Sequence, residues 1–290
     1  MTEKPNIIRT PAKINTLLKV TGRRPNGYHE LVSIMIPVEI FDLLEFEILQ
    51  EKAIWIQSTG YHVPNDEKNL VHRAARSFLS RTGISHGVSI RLEKNIPVAA
   101  GLGGGSSDAA ATLLMLNRVN SMPLTESDLR EFAVELGADV PFFLNCMPSL
   151  ATGIGEIIEP LEGWPEFWYV IVTPPIRIST MWVYQNLKLE LTTKSSDCIL
   201  ANFRSETFKV ENVLENDLEN VTCAKFPIIN TLKKLLVDAG AKGAMMSGSG
   251  PSVFGLFSSL ANAADAEKFL ISQNMGDVFL AKSIGSYNVS

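Results

Sequence analysis

The densest chemistry in the chain lies in Pro97-Val98-Ala99-Ala100-Gly101-Leu102-Gly103-Gly104-Gly105-Ser106-Ser107-Asp108. Glycines let a backbone take φ > 0 and approach a ligand closely, because no Cβ stands in the way. A helix start offers free N–H groups and the positive end of a dipole, and both favour phosphate oxygens. Ser106 and Ser107 add hydroxyls for phosphate or for a phosphate-bound Mg2+. The run is not a Walker A loop, since the chain contains no Gly-Lys dipeptide, and it lacks the G-x-G-x-x-G spacing of dinucleotide folds. A glycine-rich helix entry needed only for packing is the competing reading; four glycines in five residues followed by two serines argue against it. A second turn of this kind, Met246-Ser247-Gly248-Ser249-Gly250-Pro251, either faces a phosphate at the rim of a site or simply joins two strands, and spacing leaves both open.

Three further places carry reactive side chains. Lys13 lies in an otherwise apolar run, where a lysine either snorkels to solvent or points a charge at an anion. Asn15 is two residues on, so in a strand the cation and the amide share a face. Asp139, in Leu136-Gly-Ala-Asp-Val-Pro141, follows a helix end; a carboxylate there bonds nearby backbone N–H groups or serves as a general base, and one Asp by itself favours the first role. Tyr28 and His29 occupy a polar loop and offer rings on which a base could stack.

These side chains need elements to hold them. Lys13–Val20 and Leu31–Leu49 read as strands, Leu70–Leu79 as a helix stopped by Gly83, and Val88–Leu92 as a strand. Asp108–Val119 is Ala- and Leu-rich and predicts a buried helix; Thr125 caps another that buries Leu129, Phe132, Ala133 and Leu136. In the second half, strand Phe167–Thr173, helix Pro227–Ala239, strands Ala244–Ser247 and Val253–Phe257, helix Ala261–Ser272 and strand Val278–Ile284 follow the split β-α-β-β-α-β order. Gly and Pro cluster at Glu156–Trp164 and predict the boundary there, giving domains 1–157 and 158–290. Residues 192–211 show no clear pattern.

At 290 residues with 46% hydrophobic and 20% charged residues, the chain is globular in composition and long enough for two cores without staples. The formal charge of −5 argues against a nucleic-acid-binding surface while leaving room for small anions at local cations. Cys146, Cys198 and Cys223 lack C-x-x-C spacing, and the four histidines lack ligand spacing, so neither a disulfide framework nor a protein metal site is expected. Gly243–Ala264 is 22 residues without a charge, but ten of them are Gly, Ser or Pro, which is strand–turn–strand chemistry and not a membrane span. The N-terminal residues carry no apolar core of signal-peptide length, and a cytoplasmic location without membrane partners is expected.

Taken together, Pro11-Ala-Lys-Ile-Asn15, Pro97–Ser107 and Met246-Ser-Gly-Ser-Gly250 resemble the three motifs of the galactokinase, homoserine kinase, mevalonate kinase and phosphomevalonate kinase (GHMP) superfamily. Gly22-Arg-Arg-x-x-Gly27-Tyr-His-Glu-Leu31, Leu136-Gly-Ala-Asp-Val-Pro141, Gly153-x-Gly155-Glu156 and Asn216-Asp-Leu-Glu219 narrow the resemblance to the 4-diphosphocytidyl-2-C-methyl-D-erythritol kinase family, from Thr10 to about Lys282. The Gly-Tyr-His segment separates this family from homoserine and mevalonate kinases.

The resemblance implies an α+β fold, with an N-terminal ribosomal protein S5 domain 2-like domain that binds ATP and a C-terminal ferredoxin-like α/β sandwich domain. It implies an ATP-dependent kinase acting on the 2-hydroxyl of 4-(cytidine 5′-diphospho)-2-C-methyl-D-erythritol, with Mg2+ carried by ATP. By position, Asp139 becomes the base and Lys13 its cationic partner, and Asn15 holds the methylerythritol end. Tyr28 and His29 recognise cytosine with Tyr184 on its opposite face, while Asn69, Lys94 and Asn95 lie near adenine. ATP and the CDP-alcohol are then the partners, and the protein is a monomer or weak homodimer. Another small-molecule kinase of the superfamily, or a non-catalytic nucleotide-binding relative, is the alternative; the second is expected to have lost the equivalents of Lys13 or Asp139, and both are present.

Overall fold

The computed structural model describes residues 6–187, 203 and 209–287. Most of the patternless 192–211 stretch lies outside them. The first half is built on two long strands, β1 (Asn6–Arg23) and β2 (His29–Leu49), paired antiparallel with shifts in register at Pro11/Ala12, Asn15/Leu17 and Val20/Gly22. β4 (Gly87–Lys94) pairs antiparallel with the far end of β2, and β3 (Ile54–Gly60) lies parallel to β4 at the edge. A short hairpin, β5 (Ser149–Thr152) and β6 (Ile157–Pro160), adds to the other end of β2. The sequence reading missed β3 and this hairpin, whose apolar runs are too short to show a period.

Four helices cover one face of this sheet: α1 (Leu70–Thr82), α2 (Gly104–Val119), α3 (Glu126–Leu136) and α4 (Val140–Asn145). Their ends carry the expected signals. Gly83 closes α1 at φ 71°, and Thr125 with Asp128 forms a capping box on α3. One boundary differs: α2 begins at Gly104, four residues before the predicted Asp108. Glycine is a poor helix former, but Gly103 turns the chain at φ 70° and Gly104-Gly105-Ser106-Ser107 become the first helical turn.

The second half is a four-stranded sheet in the order β11-β7-β10-β9, made of β7 (Trp168–Thr173), β9 (Ala244–Met246), β10 (Val253–Phe257) and β11 (Asp277–Lys282), all neighbours antiparallel. This is the ferredoxin-like order expected. α5 (Thr180–Gln185), α6 (Glu219–Lys225) and α7 (Ile228–Asp238) lie between its first two strands, and α8 (Leu260–Ser272) between its last two.

The two sheets stack face to face between helical layers. Along β7 the side chains alternate, with Tyr169 and Ile171 packing toward Ile14, Ile34 and Ile36 of the large sheet and Val170 and Val172 toward Leu232, Leu236 and Leu270 of the helices. A strand buried on both faces reads as a continuous apolar run, which Phe167–Thr173 is. The halves also exchange chain: β8 (Glu215–Asn216) leaves the second half to pair parallel with Leu17 and Leu18 of β1. Among the described residues no helix is long and apolar enough to cross a membrane.

Candidate active site

A cavity of about 1000 Å3 lies where β1, the start of α2, the Asp139 loop, α5 and the Ser247–Gly250 turn meet. Residues from both halves of the chain line it, including Lys13 and Tyr28 from the first and Tyr184 and Gly248 from the second.

β1 supplies the charged centre. Ala12 and Ile14 pack into the core between the sheets, so strand alternation turns Lys13 and Asn15 to the opposite face. The Lys13 ammonium donates to Asn15 Oδ1 at 2.6 Å and lies 3.5 Å from Asp139 Oδ2. The Asn15 amide donates to Ser33 Oγ at 2.8 Å, and Ser33 in turn donates to the Leu17 carbonyl at 2.7 Å. This chain fixes the amide with its oxygen toward the cation. Asp139 stands before α4 but makes no capping hydrogen bond. The local role that spacing alone favoured is therefore unused, and its half-exposed carboxylate reaches the cavity beside a buried lysine.

The first glycine loop closes over this centre because it has no side chains to keep it away. A Cβ on Gly103 would lie 2.9 Å from Lys13 Cγ, and one on Gly101 would lie 2.1 Å from the Ser247 carbonyl. The loop also bonds to its neighbours: Lys13 N–H donates to the Leu102 carbonyl at 2.9 Å, and Ser247 Oγ donates to the Gly101 carbonyl at 2.9 Å. Pro97, Val98, Ala99, Ala100, Gly101, Gly103, Gly104, Gly105 and Ser106 line the cavity, so the N-terminus of α2 opens into it. Leu102 and Ser107 do not: both are buried, and the Ser107 N–H is spent on the Gly103 carbonyl.

Of the residues expected near adenine, Lys94 alone reaches the cavity wall. Its ammonium is held below the loop by Asp42 and, at 2.6 Å, by Asp108, and all three side chains are buried. Thr10 Oγ1 donates to Asp108 at 2.7 Å, and the backbone N–H groups of Asn95 and Ile96 donate to Asp42 at 2.6 and 2.8 Å. Burial, reinforced by the Asp108 charge, pushes the Asp42 carboxyl up to about 7. Burial works against the Lys94 charge, yet the two carboxylates hold its pKa above the ordinary lysine value. Asn69 instead caps α1, accepting from Val71 N–H at 3.0 Å and donating to the Pro64 carbonyl at 2.7 Å. Asn95 lines a separate small cavity with Arg9 and Phe41, its amide turned to the Phe41 carbonyl and Glu93. Neither side chain lines the cavity, and each amide is engaged by neighbouring groups.

At the other end of the cavity the His29 ring stacks on Tyr184, with centroids 5.1 Å apart and planes 25° from parallel. Tyr28 lines the wall beside them and is 59% exposed. Arg23 sits opposite His29 in the strand register. Burial, then the Arg23 charge, holds the His29 imidazole below the ordinary histidine range, which keeps it neutral at pH 7. Burial, then the Asp139 charge, pushes the Tyr184 phenol well above its usual value.

Sequence reasoning missed Ser33, Arg23, Asp42 and Asp108 as parts of this arrangement. Asp42 carried a readable signal, a carboxylate inside the apolar run Ile40-Phe-Asp-Leu-Leu44. Ser33 carried none.

The model for the GHMP kinases N terminal domain matches residues 69–146, and that for the GHMP kinases C terminal region matches residues 205–276. A 4-diphosphocytidyl-2-C-methyl-D-erythritol kinase of Syntrophotalea carbinolica is 44% identical over 274 residues, covering 94% of this chain and 97% of its own. The chain belongs to the 4-diphosphocytidyl-2-C-methyl-D-erythritol kinase family of the GHMP kinases. The family member of Citrifermentans bemidjiense is 46% identical, covering 88% of this chain and 91% of its own. A crystal structure of a 4-(cytidine 5′-diphospho)-2C-methyl-D-erythritol kinase superposes with a TM-score of 0.82 at 34% identity, covering 96% of this chain and 99% of that one. Homoserine kinase from Cytophaga hutchinsonii shares the GHMP kinase fold, with a TM-score of 0.75 at 22% identity over 99% of this chain and 96% of its own.

Proposed function

We propose that this GHMP kinase transfers the γ-phosphoryl group of ATP to the 2-hydroxyl of 4-(cytidine 5′-diphospho)-2-C-methyl-D-erythritol, in the non-mevalonate route to isoprenoid precursors. The observation that carries the reading is the Lys13–Asp139 pair, 3.5 Å apart, on the wall of a cavity that holds the start of α2 and, at its far end, the His29–Tyr184 rings. Phosphoryl transfer has a loose transition state, so positioning and charge neutralisation supply most of the catalysis. The substrate hydroxyl oxygen attacks the γ-phosphorus, the bond to the ADP oxygen breaks, and Asp139 takes the hydroxyl proton. Lys13 offsets the negative charge at the point of attack, and Asn15, its amide fixed by Ser33, orients the methylerythritol end.

The N–H groups of Gly104, Gly105 and Ser106 at the start of α2 receive the phosphates. No cluster of three His, Cys, Asp or Glu side chains that could hold a metal exists among the described residues. Ser106, on the cavity wall, would be the hydroxyl available to a nucleotide-borne Mg2+; Ser107 is buried in the helix. When bound, the ion neutralises charge on the transferring phosphates. We assign residues 1–157 to ATP binding and 158–290 to a domain that completes the substrate site, in a cytoplasmic protein that is a monomer or weak homodimer.

Cytosine is recognised at the Tyr28–His29–Tyr184 end. Rings 5.1 Å apart leave no space for a third between them, so the base takes the place of one against Tyr184. Base–aromatic stacking contributes about 1–3 kcal/mol, so Tyr184→Ala is expected to raise the KM for the CDP-alcohol by about 5- to 150-fold. The KM for ATP stays unchanged. Steady-state kinetics with each substrate varied in turn checks this, and an equal loss for both substrates removes the stacking role.

The whole reading is tested by ATP consumption with the CDP-alcohol followed by 31P spectroscopy of the product. A new phosphomonoester resonance is expected. A silent spectrum from well-folded protein overturns the assignment, and equal activity on non-nucleotide alcohols points to a different acceptor.

A further inference from the structure

The segment Asn216–Glu219 reaches no part of the mechanism above through its charges, yet its side chains tie three parts of the fold together. Asp217 accepts from Lys19 at 2.7 Å and from Val20 N–H at 2.8 Å, fastening the segment to β1. Glu219 accepts from Met246 N–H at 2.6 Å and from Lys233 at 2.5 Å. Asn216 is different, because it grips the second glycine turn itself. Both hydrogens of its buried amide are used, one on the Met246 carbonyl at 2.9 Å and one on the Gly248 carbonyl at 2.8 Å. Its own oxygen accepts from Leu218 N–H at 3.0 Å, which settles which end of the amide points at the turn.

The Gly248 carbonyl and the Ser249 N–H belong to one peptide plane, and in a trans peptide the two point in opposite directions. Holding the carbonyl toward the buried Asn216 aims the N–H the other way. Ser249 lines the cavity, and its N–H and that of Gly248 have no acceptor among the described residues. The turn stands close to the reacting centre: a Cβ on Gly248 would lie 3.4 Å from Asn15 Oδ1 and 3.6 Å from the Lys13 ammonium. Gly248 itself sits at φ 56°, a left-handed backbone conformation that glycine adopts readily.

We propose that Asn216 is a positioning residue, which orients the Gly248–Ser249 peptide so that the Ser249 N–H donates to an oxygen of the phosphoryl group in transit between ATP and the acceptor hydroxyl. The inference rests on the kinase reading, and activity of the parent enzyme is the control that separates the two. Removing one preorganised donor costs about 10²–10³ in turnover, so Asn216→Ala, which misaligns the donor without deleting it, is expected to lose up to about 10²-fold in kcat while the KM values for ATP and alcohol hold steady. Asp217→Asn supplies the contrast: it weakens the same segment's grip on β1, and it is expected to lower Tm and leave kcat alone.

A folded Asn216→Ala enzyme with parental kcat overturns the proposal, as does an equal kcat loss in Asp217→Asn, which would make the whole segment a structural tie. Should Asn216→Ala fail to fold, the parent answers by itself. Its Ser249 amide 1H–15N resonance is expected to move when ADP, Mg2+, aluminium fluoride and the alcohol are added together, and a stationary resonance overturns the proposal.

Discussion

Asp139→Asn is expected to keep nucleotide binding and to lose turnover by about 10²–10⁴-fold, the usual contribution of a general base. The change is isosteric and removes one charge and one proton acceptor. Asp139 makes no capping hydrogen bond to α4, so the helix start loses nothing. Its side chain is 39% exposed and faces the cavity, so folding does not depend on it. What disappears is the carboxylate 3.5 Å from Lys13 that is proposed to receive the hydroxyl proton. The α2 start, proposed to receive the phosphates, is untouched. Single-turnover kinetics with titration of ATP binding separates these effects. Parental turnover in the variant would remove Asp139 from the mechanism.

Lys94→Met is expected to be the most damaging single change to stability. Asp42 and Asp108 are both buried and both point at the Lys94 ammonium. Deleting one partner of a buried ion pair costs about 3–5 kcal/mol because the remaining charge is left uncompensated, and here two carboxylates lose the same cation. The response of Asp42 to pH gives the change a signature. Asp42 already has its pKa raised to about 7 by burial and the Asp108 charge, and without Lys94 it rises further. A carboxyl whose folded pKa lies above its unfolded value contributes stability that is complete below the unfolded pKa and is lost as pH climbs through the folded one. The gap in Tm between parent and Lys94→Met is therefore expected to be widest near pH 8 and to narrow as pH falls toward 5. A gap that is constant with pH would mean that Asp42 does not respond to the loss of Lys94. ATP affinity of the variant, measured below its Tm, reports whether the ion pairs also hold the glycine loop: Gly104 is so close to Lys94 that a Cβ there would lie 2.9 Å from its ammonium.

Much of this was legible beforehand, and the legible parts share a physical cause. Helices announce themselves where an apolar face repeats at their own period and a cap closes the end, as Thr125 and Gly83 do. β7, β10 and the strands around them stood out because burial on both faces forces unbroken apolar runs. The start of α2 was misplaced because its first turn, Gly104-Gly105-Ser106-Ser107, is made of poor helix formers. The short strands β3, β5, β6 and β8 were invisible, since their own sequence specifies little and, apart from the β5–β6 hairpin, their pairing partners are distant in the chain.

The sequence by itself determined the local chemistry: a glycine-rich helix entry, a cation and an amide on one face of a strand, a carboxylate past a helix end, and aromatic rings in a hairpin loop. Each is a property of neighbours within a few residues, which periodicity and residue type express directly. Only the tertiary structure decided which of these groups meet. It set Asp139 against Lys13, stacked Tyr184 on His29, locked Lys94 between two aspartates, and set Asn216 on the carbonyls of a turn thirty residues further on. Those contacts depend on sheet register, on strand β8 crossing from one half to the other, and on two glycine loops whose bare backbones can interlock, and none of these leaves a trace in local spacing.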